Sequence, residues 1–167
     1  MSLRRLPALL LLPLTLALPA LAEPDAAKGE ASFKKCKSCH SITAADGTEV
    51  QKGGKTGPNL WGKVGNPVAS DPDFKYGAGI LAAREKGVVW TEAELTTYLQ
   101  DPNAWVKAAS GDAGATSKMT FKLPKAEEAA DVAAYLATLG AAPEAGQDAT
   151  TAPATEYTVS DRPRPRP

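Results

Sequence analysis

The chain has 167 residues, and its 19 Lys and Arg are matched by 19 Asp and Glu. That length holds one sizeable domain with terminal segments, not two domains. A formal net charge of zero excludes the globally basic balance of a nucleic-acid binder.

Residues 1–22 predict a secretory signal peptide. Arg4 and Arg5 precede the uncharged, leucine-rich Leu6–Leu21, and Ala20-Leu21-Ala22 is a small-x-small cleavage site. The apolar run of about 16 residues is interrupted by Pro7, Pro13 and Pro19, whereas a spanning helix needs roughly 20 apolar residues. Export to the periplasm is therefore expected, with cleavage before Glu23 and no membrane anchor afterwards. The mature chain keeps 145 residues, with 17 basic against 19 acidic side chains and a net charge of −2.

The helical signals that follow are short. Asp25 can cap a helix to about Lys37, with Ala26, Gly29, Phe33 and Cys36 on one face. Gly29 costs helix propensity, and on an inward face it predicts a close helix crossing. Residues 41–73 are rich in Gly, Pro, Asn and Lys and predict an ordered loop, which needs something to pack against. A helix is expected from about Gly79 to Lys86. Val88-Val89-Trp90 is a weak strand signal. Thr91-Glu92-Ala93-Glu94 forms a capping box, followed by the inward stripe Leu95, Tyr98 and Leu99. Asp101-Pro102 pairs an N-cap with proline at the first helical position, leading to Trp105 and Val106. The last helix is expected over about Lys125–Leu139, with Val132, Tyr135, Leu136 and Leu139 inward and Gly140 as the stop. Beyond it, residues 141–167 carry only Tyr157 and Val159 as sizeable apolar side chains, so a disordered tail is expected. Its Arg162–Pro167 end favours polyproline II. The domain proper is thus expected over 23–140.

The chemistry-bearing motif is Cys36-Lys37-Ser38-Cys39-His40. C-x-x-C-H is the c-type haem attachment pattern. Two thiols at this spacing can add to two vinyl groups on one side of a porphyrin, and the next residue, His40, then lies beneath the iron. A thioredoxin-like site would need a βαβ setting, which is lacking here. A closed zinc site needs four ligands, and the mature chain has two cysteines and one histidine. The candidate sixth ligands are Met119, a lysine, a tyrosine, or none. Met119 is the only methionine besides Met1. It sits in the polar stretch Ser117–Pro124, where a core gap-filler has little to pack against. Histidine–methionine ligation is the electron-transfer pairing for such a haem.

In order and spacing, several pieces make a resemblance specific. They are Gly29…Phe33, Cys36–His40, Lys55-Thr56-Gly57-Pro58-Asn59-Leu60, Phe74-Lys75-Tyr76-Gly77 and Trp90-Thr91-Glu92. Further along come Tyr98-Leu99, Lys118-Met119-Thr120-Phe121 and Asp131–Leu136. Over about Asp25–Leu139 the chain resembles the class I c-type cytochromes, of the cytochrome c2 and c550 type of alphaproteobacteria. The resemblance implies an all-α fold of several short helices and loops wrapped round one covalently bound haem c. It implies that the Pro58 carbonyl holds the His40 ring N–H. It also implies that Tyr76 and Trp90 donate to a haem propionate, and that Tyr98 lies near the Met119 sulfur. Gly29 and Phe33 should pack on Tyr135 and Leu136 where the first and last helices cross. The loop Ala108–Ser117 looks longer than in mitochondrial relatives.

A haem with both axial positions filled by protein leaves no place for a substrate, so the expectation is an electron carrier and not an enzyme. Lys34, Lys35, Lys37, Lys52, Lys55, Lys118 and Lys122 cluster around the motif and Met119. Acidic residues concentrate at Glu92, Glu94, Glu127, Glu128 and Asp131. A positive front would steer docking to acidic surfaces of redox partners. Those partners would be a quinol-oxidising bc1 complex, then a terminal oxidase, a peroxidase or a photosynthetic reaction centre, with the carrier a monomer and no nucleic acid involved. The alternatives are a haem peroxidase or gas-binding haem protein with a labile sixth ligand, and a subunit held in a larger dehydrogenase complex. Rapid carbon monoxide binding would mark the former, and gel filtration as a complex the latter.

Overall fold

The computed structural model describes residues 23–140. The expected signal peptide and tail lie outside the described residues. Five α-helices occur in the order α1 (Ala26–Ser32), α2 (Ala78–Glu85), α3 (Glu92–Gln100), α4 (Pro102–Ser110) and α5 (Ala126–Ala137). Most of their ends follow local chemistry. The Asp25 carboxylate accepts from the Ala27 and Lys28 amides, Thr91 Oγ1 accepts from the Glu94 amide, and Asp101 Oδ1 accepts from the Ala104 amide. Each satisfies amides that a helix N-terminus leaves without partners. Pro102 occupies the first turn of α4, and Gly111 ends it in the left-handed conformation at φ 71°. Glu127 and Glu128 sit in the first turn of α5, where the helix dipole favours negative charge.

Three departures from the sequence expectations are informative. The first helix does not run unbroken to Lys37, because Phe33–Lys35 tightens into a 3-10 turn. That turn ends on Cys36 and starts the chain back on itself. The capping box is half made, since the Glu94 carboxylate accepts from Trp105 Nε1 at 2.6 Å on α4. The segment expected as irregular loop contains a hairpin, β1 (Ile42–Thr43) with β2 (Glu49–Gln51), antiparallel with a bulge. Its turn carries Asp46-Gly47, with Gly47 at φ 88° and Asp46 Oδ1 accepting from the Thr48 amide. An Asp-Gly pair between short extended runs is the hairpin signal that composition obscured.

The core centres on the crossing of α1 and α5. A β-carbon on Gly29 would overlap the Asp131 carbonyl oxygen and stand 2.8 Å from Tyr135 Cβ, so only glycine permits this approach. Phe33, fully buried, meets Tyr135 with ring centroids 5.8 Å apart. The buried Asp131 reaches back to accept from the Asp25 amide at 2.7 Å. A second cluster stacks Trp90 on Trp105 at 4.9 Å, with Tyr98 edge-on to Trp105 at 5.3 Å. Among the described residues no helix is long and apolar enough to cross a membrane.

Candidate haem site

One cavity of about 360 Å³ lies between these two clusters. Its walls are chiefly apolar, with Leu60, Ile80, Leu95, Leu99, Val132 and Leu136 among them. Onto this surface converge Cys36, Cys39, His40, Pro58, Tyr76, Trp90, Tyr98 and Met119.

The 3-10 turn sets the first wall. The Cys39 and His40 amides both donate to the Cys36 carbonyl, at 3.1 and 2.9 Å. The winding therefore continues through the motif and brings both thiols and the imidazole to one side. No disulfide joins the two cysteines, and Cys36 is buried while Cys39 is exposed. Burial pushes the Cys36 thiol up to about 11, while hydrogen bonds from Thr56 and Ser38 pull Cys39 down.

His40 is fixed from two directions. Its Nδ1 lies 2.8 Å from the Pro58 carbonyl oxygen, which can only accept, so Nδ1 carries the proton and Nε2 the lone pair. Burial is the larger influence and lowers the imidazole below its ordinary value, outweighing the Pro58 bond. The ring is thus held neutral, with a free nitrogen lone pair. Gly57 lies flat against it, where any β-carbon would overlap the ring. Gly57 donates to the Cys39 carbonyl at 2.8 Å and Gly54 to the Lys37 carbonyl at 2.8 Å.

Met119 comes from the stretch between α4 and α5, which has no regular secondary structure. Single hydrogen bonds hold it. Ser117 Oγ accepts from the Met119 amide at 3.1 Å and lies 3.2 Å from the Tyr98 hydroxyl. Asn103 Oδ1 accepts from the Ser117 amide at 2.8 Å. Further on, the Leu123 amide donates to the Leu99 carbonyl at 2.8 Å. Tyr98 therefore acts on Met119 through Ser117. Ser117 and Asn103 carry no local sequence signal, because α4 and the Met119 stretch meet only in the folded chain.

The Trp90 indole N–H has no hydrogen-bond partner among the described residues, although its ring is only 7 % exposed. The Tyr76 hydroxyl accepts a long bond, 3.4 Å, from the Asp71 amide, which leaves its own proton available. Both donors line the cavity.

These residues fit a haem on their own chemistry. Two thiols and a neutral imidazole share one wall, a thioether lies in the lining, and two N–H or O–H donors stand ready for acidic substituents. The glycine packed on the imidazole fits the same purpose, because it fixes the ring plane without filling the space.

The lysines divide. Lys34, Lys52 and Lys55 are exposed and Lys37 half-buried, and none forms an ion pair among the described residues. Lys35 pairs with Glu128, and Lys122 with Asp101 at 2.8 Å. Lys118 donates to the Lys75 carbonyl at 2.7 Å. The expected segregation of acidic from basic residues thus fails at Glu128, which α5 brings to the cavity-lining Lys35. Lys63, which no motif marked, lines the cavity. Phe121 is 41 % exposed beside it.

The family model described as cytochrome c matches residues 26–140. Cytochrome c-550 of Paracoccus versutus is 54% identical over 142 residues, covering 83% of this chain and 90% of the relative. Cytochrome c2 of Rhodobacter capsulatus is 53% identical over 126 residues, covering 75% and 90%. The X-ray structure of ferric cytochrome c-550 from Paracoccus versutus superposes with a TM-score of 0.67 at 54% identity, covering 71% of this chain and 99% of that one. Cytochrome c2 from Rhodobacter sphaeroides gives 0.69 at 41% identity, covering 72% and 100%.

Proposed function

Because this chain belongs to the cytochrome c family, we propose that it is an exported, periplasmic carrier passing single electrons from a quinol-oxidising bc1 complex to a terminal oxidase, a peroxidase or a photosynthetic reaction centre. Family membership makes it a mono-haem electron-transfer protein with one covalently bound haem c, and not an enzyme. When bound, that group supplies an iron that gains and loses one electron.

In this reading, Cys36 and Cys39 would attach the haem covalently, and His40 and Met119 would hold its iron. The Pro58 carbonyl keeps the His40 proton on Nδ1, so Nε2 is the nitrogen that would be offered to the iron. Tyr76 and Trp90 donate to the acidic edge. Tyr98, through Ser117, holds the Met119 backbone. Methionine is a soft ligand that raises the potential. With His40 and Met119 both given to holding the iron, no place would remain on it for a substrate. Partners with acidic surfaces meet the rim at Lys34, Lys37, Lys52 and Lys55. Lys35, Lys118 and Lys122 join them once their internal bonds are exchanged, so the front is weaker than the count of lysines implies.

The observation that carries this reading is that Cys36, Cys39 and His40 share one apolar cavity with Met119, which lies about eighty residues further on. The test is Met119→Ala. The oxidised wild-type protein should have the weak long-wavelength band of sulfur bound to ferric iron, and the variant should lose it and bind carbon monoxide rapidly when reduced. Persistence of the band would remove Met119 from the site.

A further inference from the structure

Three lysines line the cavity. Lys35 is taken by Glu128 and Lys118 by the Lys75 carbonyl. Lys63 has neither a hydrogen bond nor an ion pair among the described residues, yet it is half-buried. A long ammonium side chain normally extends into water, so an unpaired one held against an apolar cavity calls for an anion. Burial lowers its basicity, and the negative charge of Asp71 only partly restores it.

Backbone bonds fix where Lys63 stands. The Asn66 amide closes a turn on the Lys63 carbonyl at 3.2 Å. That turn is clamped to Trp90, since Gly65 donates to the Trp90 carbonyl at 2.8 Å and the Trp90 amide to the Asn66 carbonyl at 2.9 Å. Tyr76 is drawn to the same region by the Asp71 amide. Lys63 therefore belongs to the turn bonded to Trp90 and lines the same cavity as Trp90 and Tyr76, whose indole N–H and hydroxyl proton have no acceptor among the described residues.

We propose that Lys63 is a positioning residue for the haem, its ammonium binding a carboxylate side arm of that group at the wall shared with Tyr76 and Trp90 and thereby raising the reduction potential. This rests on the reading of that wall as the acidic end of the site. The sign follows from Coulomb's law in a poorly solvated place. Without Lys63 the carboxylate charge is uncompensated, which favours the ferric form and lowers the potential.

The test is spectroscopic redox titration of the holoprotein for Lys63→Met, Lys63→Arg, Asp71→Asn and Trp90→Phe. Lys63→Met should lower the potential, Lys63→Arg should keep it near wild type, and Asp71→Asn should not reproduce the fall. Lys63→Gln replaces the methionine variant if that one fails to take up haem. An unchanged potential in Lys63→Met, or equal falls in Lys63→Met and Lys63→Arg, overturns the assignment. If Trp90→Phe shifts the potential while Lys63→Met does not, Lys63 is excluded and the wall remains the acidic end. If neither shifts it, the reading of that wall fails as well.

Discussion

The two sides of the cavity are built by different means. On the His40 side, the attachment motif follows directly on the α1–α5 crossing, where backbones touch through Gly29 and Phe33 is fully buried against Tyr135. The imidazole is then pinned by Pro58 and Gly57. On the Met119 side, a stretch without regular structure is anchored in the core at its ends by the buried Ala115 and Leu123, and between them it hangs from single bonds through Ser117, Asn103 and Lys122. Close packing is cooperative and resists small changes, whereas each isolated hydrogen bond contributes only about 1 kcal/mol. His40 and Met119 therefore differ in how firmly they are held, and Met119 should yield first under any perturbation.

The contrast can be broken most sharply at the crossing. Phe33→Ala should cost the holoprotein about 4 kcal/mol in denaturant unfolding, the scale of emptying a buried aromatic site. Gly29→Ala should cost about 3 kcal/mol, because the helices must part to admit a β-carbon. A loss under about 1 kcal/mol in Gly29→Ala would mean that the crossing relaxes, and the supposed stiffness of the His40 side would go with it.

Gly57→Ala tests the pinning of the ring itself. The added carbon overlaps the imidazole, so the visible spectrum and potential should change more than global stability does. On the opposite side, Asn103→Ala and Ser117→Ala should each cost about 1 kcal/mol of stability. They should nevertheless weaken the sulfur–iron band clearly, and an intact band in both would show that Met119 is held by something other than this network.

The smallest effect belongs to the rim. The Lys35 ammonium holds the Glu128 carboxyl below the usual glutamate range. As pH falls, the unfolded chain takes up this proton first. The pair's contribution is therefore full above the ordinary glutamate value and is lost as pH drops through the lowered folded one. The Lys35 side chain is half exposed and Glu128 half-buried, so the pair still meets water and Glu128→Gln should cost only about 0.5 kcal/mol at neutral pH. Carboxyl NMR titration should follow the lowered value, and its return to the ordinary range in Lys35→Met would confirm the cause.

Much of this architecture was legible before any tertiary contact was known. Helix starts at Asp25, Thr91 and Asp101 lie within one turn of the residues that cause them. The thiols and imidazole of Cys36–His40 are likewise placed by neighbours along the chain, and Gly29 announced a crossing by its cost in a helix. Met119 stood out because so few soft ligands exist in the sequence.

What the chain alone left open was every pairing between distant segments of similar local character. Glu94 could close its own capping box or reach Trp105, and the packing of α3 on α4 chose the latter. Lys35, Lys63 and Lys118 look alike in sequence, yet one meets a carboxylate, one a carbonyl and one an open cavity wall. Bonds that close within a turn are decided by the residues in that turn. The partners of long, flexible, charged side chains are decided only by which surfaces the folded chain brings together.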